Sequence, residues 1–199
     1  HRVPKTIFTE EIYANQYVID STDEFAARIS QIEDDSVVLL DIGRHRLEEM
    51  EAWGIRPLNV YQGMAMHALL DPGLDLNLLI GAAGSGKTLL SLACALEMVV
   101  EQKRYSKIVV TRSTPPVAED IGFLPGTEEE KMMPWIAPLR DNLEYLFGDK
   151  TALEIHMEQG LVEIEAMTYI RGRSISNAFM IVDEAQNLTT HELKTIITR

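Results

Sequence analysis

Apolar residues along the 199-residue chain fall into two regimes. Up to Pro57 they come in short clusters. Ile7 to Ile19 is rich in aromatic and β-branched residues and predicts one or two short strands. Ser21-Thr22-Asp23-Glu24 reads as a helix start, with Ser21 or Thr22 as cap, leading into Phe25, Ala26, Ile29 and Ile32 at helical spacing. Ser36 to Leu40 is a compact apolar run and predicts a strand. Gly54-Ile55-Arg56-Pro57 interrupts regular structure and marks a boundary, so residues 1–57 are expected to form a small acidic α+β unit.

Beyond Pro57, long helical patterns alternate with short apolar runs. A helix is expected from about Asn59 to Leu70, closing at Asp71-Pro72-Gly73. Leu76 to Ile80 predicts a strand, followed by a glycine-rich turn and an apolar helix from Lys87 to about Glu101. Lys107 to Thr111, Val162 to Met167 and Ala178 to Val182 predict three more strands. The intervening segment, with Pro115-Pro116, Pro125-Gly126, Pro134 and Pro138, carries two candidate helices, and Thr190 to Thr198 predicts a last one. Strand–helix alternation requires right-handed crossovers, which build a parallel sheet with helices on both faces. Residues 58–199 are therefore expected to form one α/β domain.

Composition adds limits. Hydrophobic residues make up 46% and charged residues 25% of the chain, a globular mix. The formal charge is −13, with net −6 in residues 1–60 and −7 in the remainder, which argues against binding nucleic acid through bulk positive potential while leaving room for a local basic groove. No apolar run approaches the roughly 20 residues of a membrane span, and the N-terminus does not read as a signal peptide. Cys94 is the single cysteine, so no internal disulfide forms, and a reducing, cytoplasmic setting is expected. The five histidines show no ligand spacing.

Gly81-Ala82-Ala83-Gly84-Ser85-Gly86-Lys87-Thr88 fills all eight positions of a phosphate-binding loop. Its glycines let the backbone curl so that successive N–H groups face a phosphate. Lys87 is placed to reach the β- and γ-phosphates, and the Thr88 hydroxyl to bind Mg²⁺. The helix that follows aims its positive dipole end at the same anion. Alone, such a run can be a chance glycine-rich turn; the expected strand before it and helix after it select the functional reading. A triphosphate site also needs an acid at the end of a neighbouring strand. Asp183, 96 residues beyond Lys87, is the candidate on the metal side, and Glu184 the candidate base that orients and polarises water. A metabolite kinase would use the lysine and the aspartate but has less need of Glu184, which tilts the reading toward ATP hydrolysis.

Leu58-Asn59-Val60-Tyr61-Gln62-Gly63-Met64-Ala65 resembles the adenine-reading glutamine motif of superfamily 1 helicases. By that resemblance Gln62 holds the adenine edge; an ordinary surface glutamine on a helix is the plainer reading. Val110-Thr111-Arg112, Asp120 to Gly126 (Asp-Ile-Gly-Phe-Leu-Pro-Gly), Tyr169 to Ser174 (Tyr-Ile-Arg-Gly-Arg-Ser) and Asp183-Glu184-Ala185-Gln186-Asn187 together resemble the PhoH-like ATPase family over roughly residues 57–199. The resemblance implies a RecA-like P-loop NTPase fold, ATP and Mg²⁺ as ligands, a link to RNA metabolism, cytosolic location and ring-shaped homo-oligomers such as hexamers. In one branch the ATPase follows a PIN-type ribonuclease domain and acts as an RNA helicase. Arg112 lies where related ATPases contact nucleic acid. Arg171 and Arg173 flank a glycine, suited to the phosphates of RNA or of a neighbouring subunit's nucleotide, or else simply solvated. Two functions from different classes follow: an RNA-coupled ATPase, or an ATP-dependent oligomeric switch with negligible turnover and no RNA role. A RecA-like core is expected to need a further strand after the acidic motif, so 199 residues read as part of a longer chain.

Overall fold

The computed structural model describes residues 1–20, 24–113, 128–165, 170 and 174–198. Two compact units emerge, His1–Leu78 and Leu79–Arg199.

The first unit is built on an antiparallel sheet of β1 (Arg2–Pro4), β2 (Tyr17–Ile19), β3 (Ala26–Ile32) and β4 (Ser36–Asp41), in the order β1-β4-β3-β2. A tight hairpin joins β3 to β4, with the Glu33 N–H donating to Ser36 O at 2.8 Å and the Ser36 hydroxyl to Glu33 Oε2 at 2.6 Å. Two helices follow, α1 (Arg44–Glu48) and α2 (Val60–Leu69). The expected helix through Phe25, Ala26, Ile29 and Ile32 is instead strand β3, with a bulge between Ile29 and Gln31. The proposed caps, Ser21 and Thr22, lie outside the described residues. The reason is burial on both faces. Ala27 and Ile29 pack with Val37 and Leu39, while Ala26 joins Ile42, Leu47 and Val60. Consecutive apolar residues then blur the period of two that identifies a half-buried strand.

Asn59 caps α2, its side chain accepting the Gln62 N–H at 3.0 Å. Gly63 makes the approach of α2 to α1 possible: a Cβ there would lie 2.3 Å from Leu47 O and 2.7 Å from Leu47 C. Both are backbone atoms, which cannot swing aside. Gly63→Ala is therefore expected to destabilise this unit by about 1–3 kcal/mol, the usual cost of overpacking, measured by chemical denaturation.

Beneath α2 lies a polar cluster. The Tyr17 hydroxyl is 2.7 Å from His67 Nδ1, and Arg28 pairs with Asp71. Burial pushes the Tyr17 phenol up to about 12, with the nearby Asp71 adding to the rise and Arg28 opposing it. Burial also lowers His67, assisted by Arg28 and Arg46 and opposed by Asp71. Asp71 is lowered chiefly by the Gly73 N–H and then by Arg28. The fold thus favours neutral forms of both Tyr17 and His67. The His67 contribution is present above its ordinary value of 6.5 and fades as pH falls below it. The Tyr17 contribution is present below 10.0 and is lost as pH rises toward 12. Tyr17→Phe is expected to flatten the alkaline limb of the stability profile while lowering the plateau by about 1 kcal/mol for the lost hydrogen bond. Thermal unfolding followed by Trp53 fluorescence in a Trp135→Phe background checks this.

The second unit begins at the glycine-rich loop, which feeds α3 (Lys87–Leu96); a π-helical turn, Glu97–Glu101, extends α3. Then come β5 (Lys107–Arg112), α4 (Glu128–Phe147), α5 (Lys150–Glu158), β6 (Val162–Ile164), β7 (Ala178–Asp183) and α6 (Thr190–Ile197). The three strands form a parallel sheet in the order β6-β5-β7, flanked by helices. This is the α/β P-loop NTPase architecture expected for this part of the chain. β5 is the central strand, with Ile108, Val109, Val110 and Thr111 buried. A Lys107–Glu163 ion pair at 2.8 Å staples β5 to β6. Pro134 and Pro138 lie inside α4, and the Asn142 side chain donates to the Pro138 carbonyl at 2.7 Å. α6 starts on a full capping box between Thr189 and Glu192.

One expected strand is absent. Leu76 to Ile80 joins no ladder, and Leu76, Leu78 and Ile80 are exposed, Ile80 at 94%. A short apolar run shows that a segment can pair, but a strand exists only where a neighbour supplies the other half of each hydrogen bond. Among the described residues none does. Also among the described residues, no helix is long and apolar enough to cross a membrane.

Candidate nucleotide site

The loop Gly81 to Gly86 owes its course to two left-handed glycines, Gly84 at φ +74° and Gly86 at φ +83°. A side chain at either position would be strained. Gly86 is the residue before α3, and no side chain caps that helix start. The contrast within the chain is informative. Asn59, Asp149 and Thr189 each place an oxygen on the N-terminal amides of α2, α5 and α6. At α3 the cap position is Gly86, which has no side chain to supply such an oxygen, and a helix start of that kind suits an incoming anion.

Lys87 folds back over its own loop. Its ammonium donates to Gly81 O and Ala82 O, both at 2.8 Å, and reaches Ser85 Oγ at 3.5 Å. Within its own loop the ammonium is thus held by backbone oxygens, the kind of acceptor a phosphate also offers. The neighbouring Thr88 points elsewhere: its hydroxyl donates to Asp183 Oδ1 at 2.9 Å. Residues 95 positions apart are thereby joined in one polar corner, at the C-terminal end of β7 where open α/β sheets bind ligands.

Glu184 follows Asp183 with φ +53° and ψ +37°, a left-handed conformation that costs a non-glycine residue about 1 kcal/mol or more. The Gln186 side-chain amide holds Glu184 Oε2, and Arg112 Nη2 lies 3.5 Å from Glu184 Oε1. Arg112 Nε also lies 3.7 Å from Asp183 Oδ2. The resemblance places Arg112 where related ATPases contact nucleic acid; in the structure its guanidinium lies beside the acidic pair. Register explains this, because Arg112 stands directly opposite Asp183 where β5 pairs with β7.

Gln62 belongs to the first unit and has a local structural task. Its Oε1 accepts the Leu58 N–H at 2.6 Å, reciprocating the Asn59 cap at the start of α2. Arg171 and Arg173 lie outside the described residues, as does the segment 120–126. The features that spacing did not reveal are the Arg112 bridge and the Gln186 hold on Glu184, since both depend on strand register and turn geometry.

Thr88 and Asp183 present a hydroxyl and a carboxylate side by side, the hard-oxygen set that Mg²⁺ uses alongside phosphate oxygens. The uncapped helix start and Lys87 suit the phosphates themselves. Glycine loop, lysine, hydroxyl and strand-end acid on a parallel sheet define a P-loop nucleotide-binding protein. The family description "PhoH-like protein" matches residues 54–199, and the chain belongs to the PhoH family. It is 51% identical over 155 residues to Protein PhoH2 of Bacillus subtilis, a match covering 76% of this chain and 35% of that protein. It is 40% identical over 152 residues to Protein PhoH2 of Mycolicibacterium smegmatis, covering 76% and 35%. The PhoH-like protein of Synechocystis is 39% identical over 125 residues, covering 63% and 38%. The matches thus span about a third of these relatives' own length.

Proposed function

We propose that the chain carries the ATP-hydrolysing site of a PhoH-family protein. The observation that carries this is the 2.9 Å hydrogen bond from Thr88 to Asp183, which joins the phosphate loop to the strand-end acid. In this reading the N–H groups at the start of α3 and the Lys87 ammonium bind the β- and γ-phosphates. Thr88 and Asp183 would hold Mg²⁺, which supplies charge neutralisation on the phosphates. Glu184, braced by Gln186, orients a water in line with the γ-phosphorus and accepts its proton. Gln62 is assigned to the adenine edge, as the resemblance to the helicase glutamine motif implies.

Residues 58–199 act as the ATPase domain, and the acidic residues 1–57 as an appended unit. Coupling to RNA, assembly into a homo-oligomeric ring in which Arg171 or Arg173 reaches a neighbour's nucleotide, and a cytoplasmic location complete the proposal. Their support is the family membership together with the motifs that carry the resemblance. Phosphate release from ATP, measured with Mg²⁺ and with EDTA and each with or without single-stranded RNA, tests the reading. Mg²⁺-dependent release supports it. Tight ATP binding with no release under any condition would favour the nucleotide switch instead.

A further inference from the structure

We propose that Arg112 is the resident counter-cation of the Asp183–Glu184 corner, so that the site admits a divalent cation together with a polyphosphate and not ahead of it. The proposal rests on the nucleotide-binding reading above and concerns the order in which its ligands enter. Arg112 closes β5 and faces Asp183 across the β5–β7 ladder. One guanidinium spans both acids, Nε at 3.7 Å from Asp183 Oδ2 and Nη2 at 3.5 Å from Glu184 Oε1. The planar fork suits this bridging geometry, which an ammonium on a flexible stem does not reproduce.

The remaining Asp183 oxygen is already engaged, Oδ1 accepting from Thr88. Both oxygens that would face a cation therefore have partners before any ligand arrives. The Arg112 and Asp183 side chains are only 22% and 16% exposed, so water screens their interaction less than it would on an open surface. A divalent cation arriving alone must take its place beside a fixed positive charge and meets repulsion from it. A polyphosphate changes the balance. Its negative charge offsets Arg112, draws Lys87 off Gly81 O and Ala82 O, and supplies most of the oxygens that the cation needs.

The test uses Mn²⁺ as probe, with the free ion followed by electron paramagnetic resonance as it is titrated into the whole chain. Without nucleotide, Arg112→Gln is expected to bind Mn²⁺ about tenfold or more tightly than the parent, because the repelling charge is gone. Arg112→Lys, which keeps the charge but not the fork, is expected to fall between them. With a non-hydrolysable ATP analogue present, the difference should shrink to about threefold or less, since the polyphosphate then dominates the balance. Equal Mn²⁺ affinity for parent and both variants without nucleotide, alongside normal binding of the Mn²⁺–analogue complex, would overturn the role given to Arg112 and leave the nucleotide site standing. Failure of the parent to bind the Mn²⁺–analogue complex would instead strike the nucleotide reading itself.

Discussion

Glu184→Gln is expected to leave nucleotide binding close to that of the parent and to slow phosphate release by roughly a hundredfold to ten-thousandfold, the range typical for loss of a positioned general base. The amide keeps the volume of the carboxylate and can still meet Gln186, so the left-handed turn at Glu184 has no reason to relax. What it loses is the ability to accept a proton. Binding of a fluorescent ATP analogue and single-turnover phosphate release, measured on the same preparation, separate the two effects. Unchanged release would remove Glu184 from the reaction and point to another base.

Lys87→Ala has the opposite profile, because its effect begins at binding. The ammonium sits on the carbonyls of Gly81 and Ala82 at the start of α3. Removing it deletes a charge-assisted contact to the phosphates and leaves two loop carbonyls without their donor. Loss of about 3–4 kcal/mol of transition-state stabilisation is expected, or roughly 10²–10³-fold in kcat/KM, with weaker binding of the nucleotide as well. Calorimetric titration with the non-hydrolysable analogue checks the binding component. An affinity equal to the parent's would show that Lys87 does not touch the phosphates.

The parts of this site that sequence could identify are those determined by local chemistry. Gly84 and Gly86 do adopt positive φ angles, and Lys87 does open a helix, because loop curvature and helix start are written in adjacent residues. β5 and β7 likewise fall close to their expected ranges, since buried parallel strands read as continuous apolar runs. The errors occur where a distant partner decides. Ala26 to Ile32 carries a pattern compatible with a helix until β4 offers it a ladder on one side and β2 on the other. Leu76 to Ile80 has a strand's composition and no strand to meet among the described residues. Arg112 shows the same limit within the site. Its position at a strand end is visible in the sequence, but its alignment with Asp183 is a property of the β5–β7 register.

Cys94 now carries a consequence beyond compartment. It lies in α3, fully buried, and burial pushes its thiol up to about 12, so in the closed structure it has neither access nor thiolate character. The chain has no other cysteine. A thiol reagent therefore finds a target only in molecules whose phosphate-loop helix has come away from its packing, and the labelling rate becomes a clock for that opening, built into the natural sequence at one position.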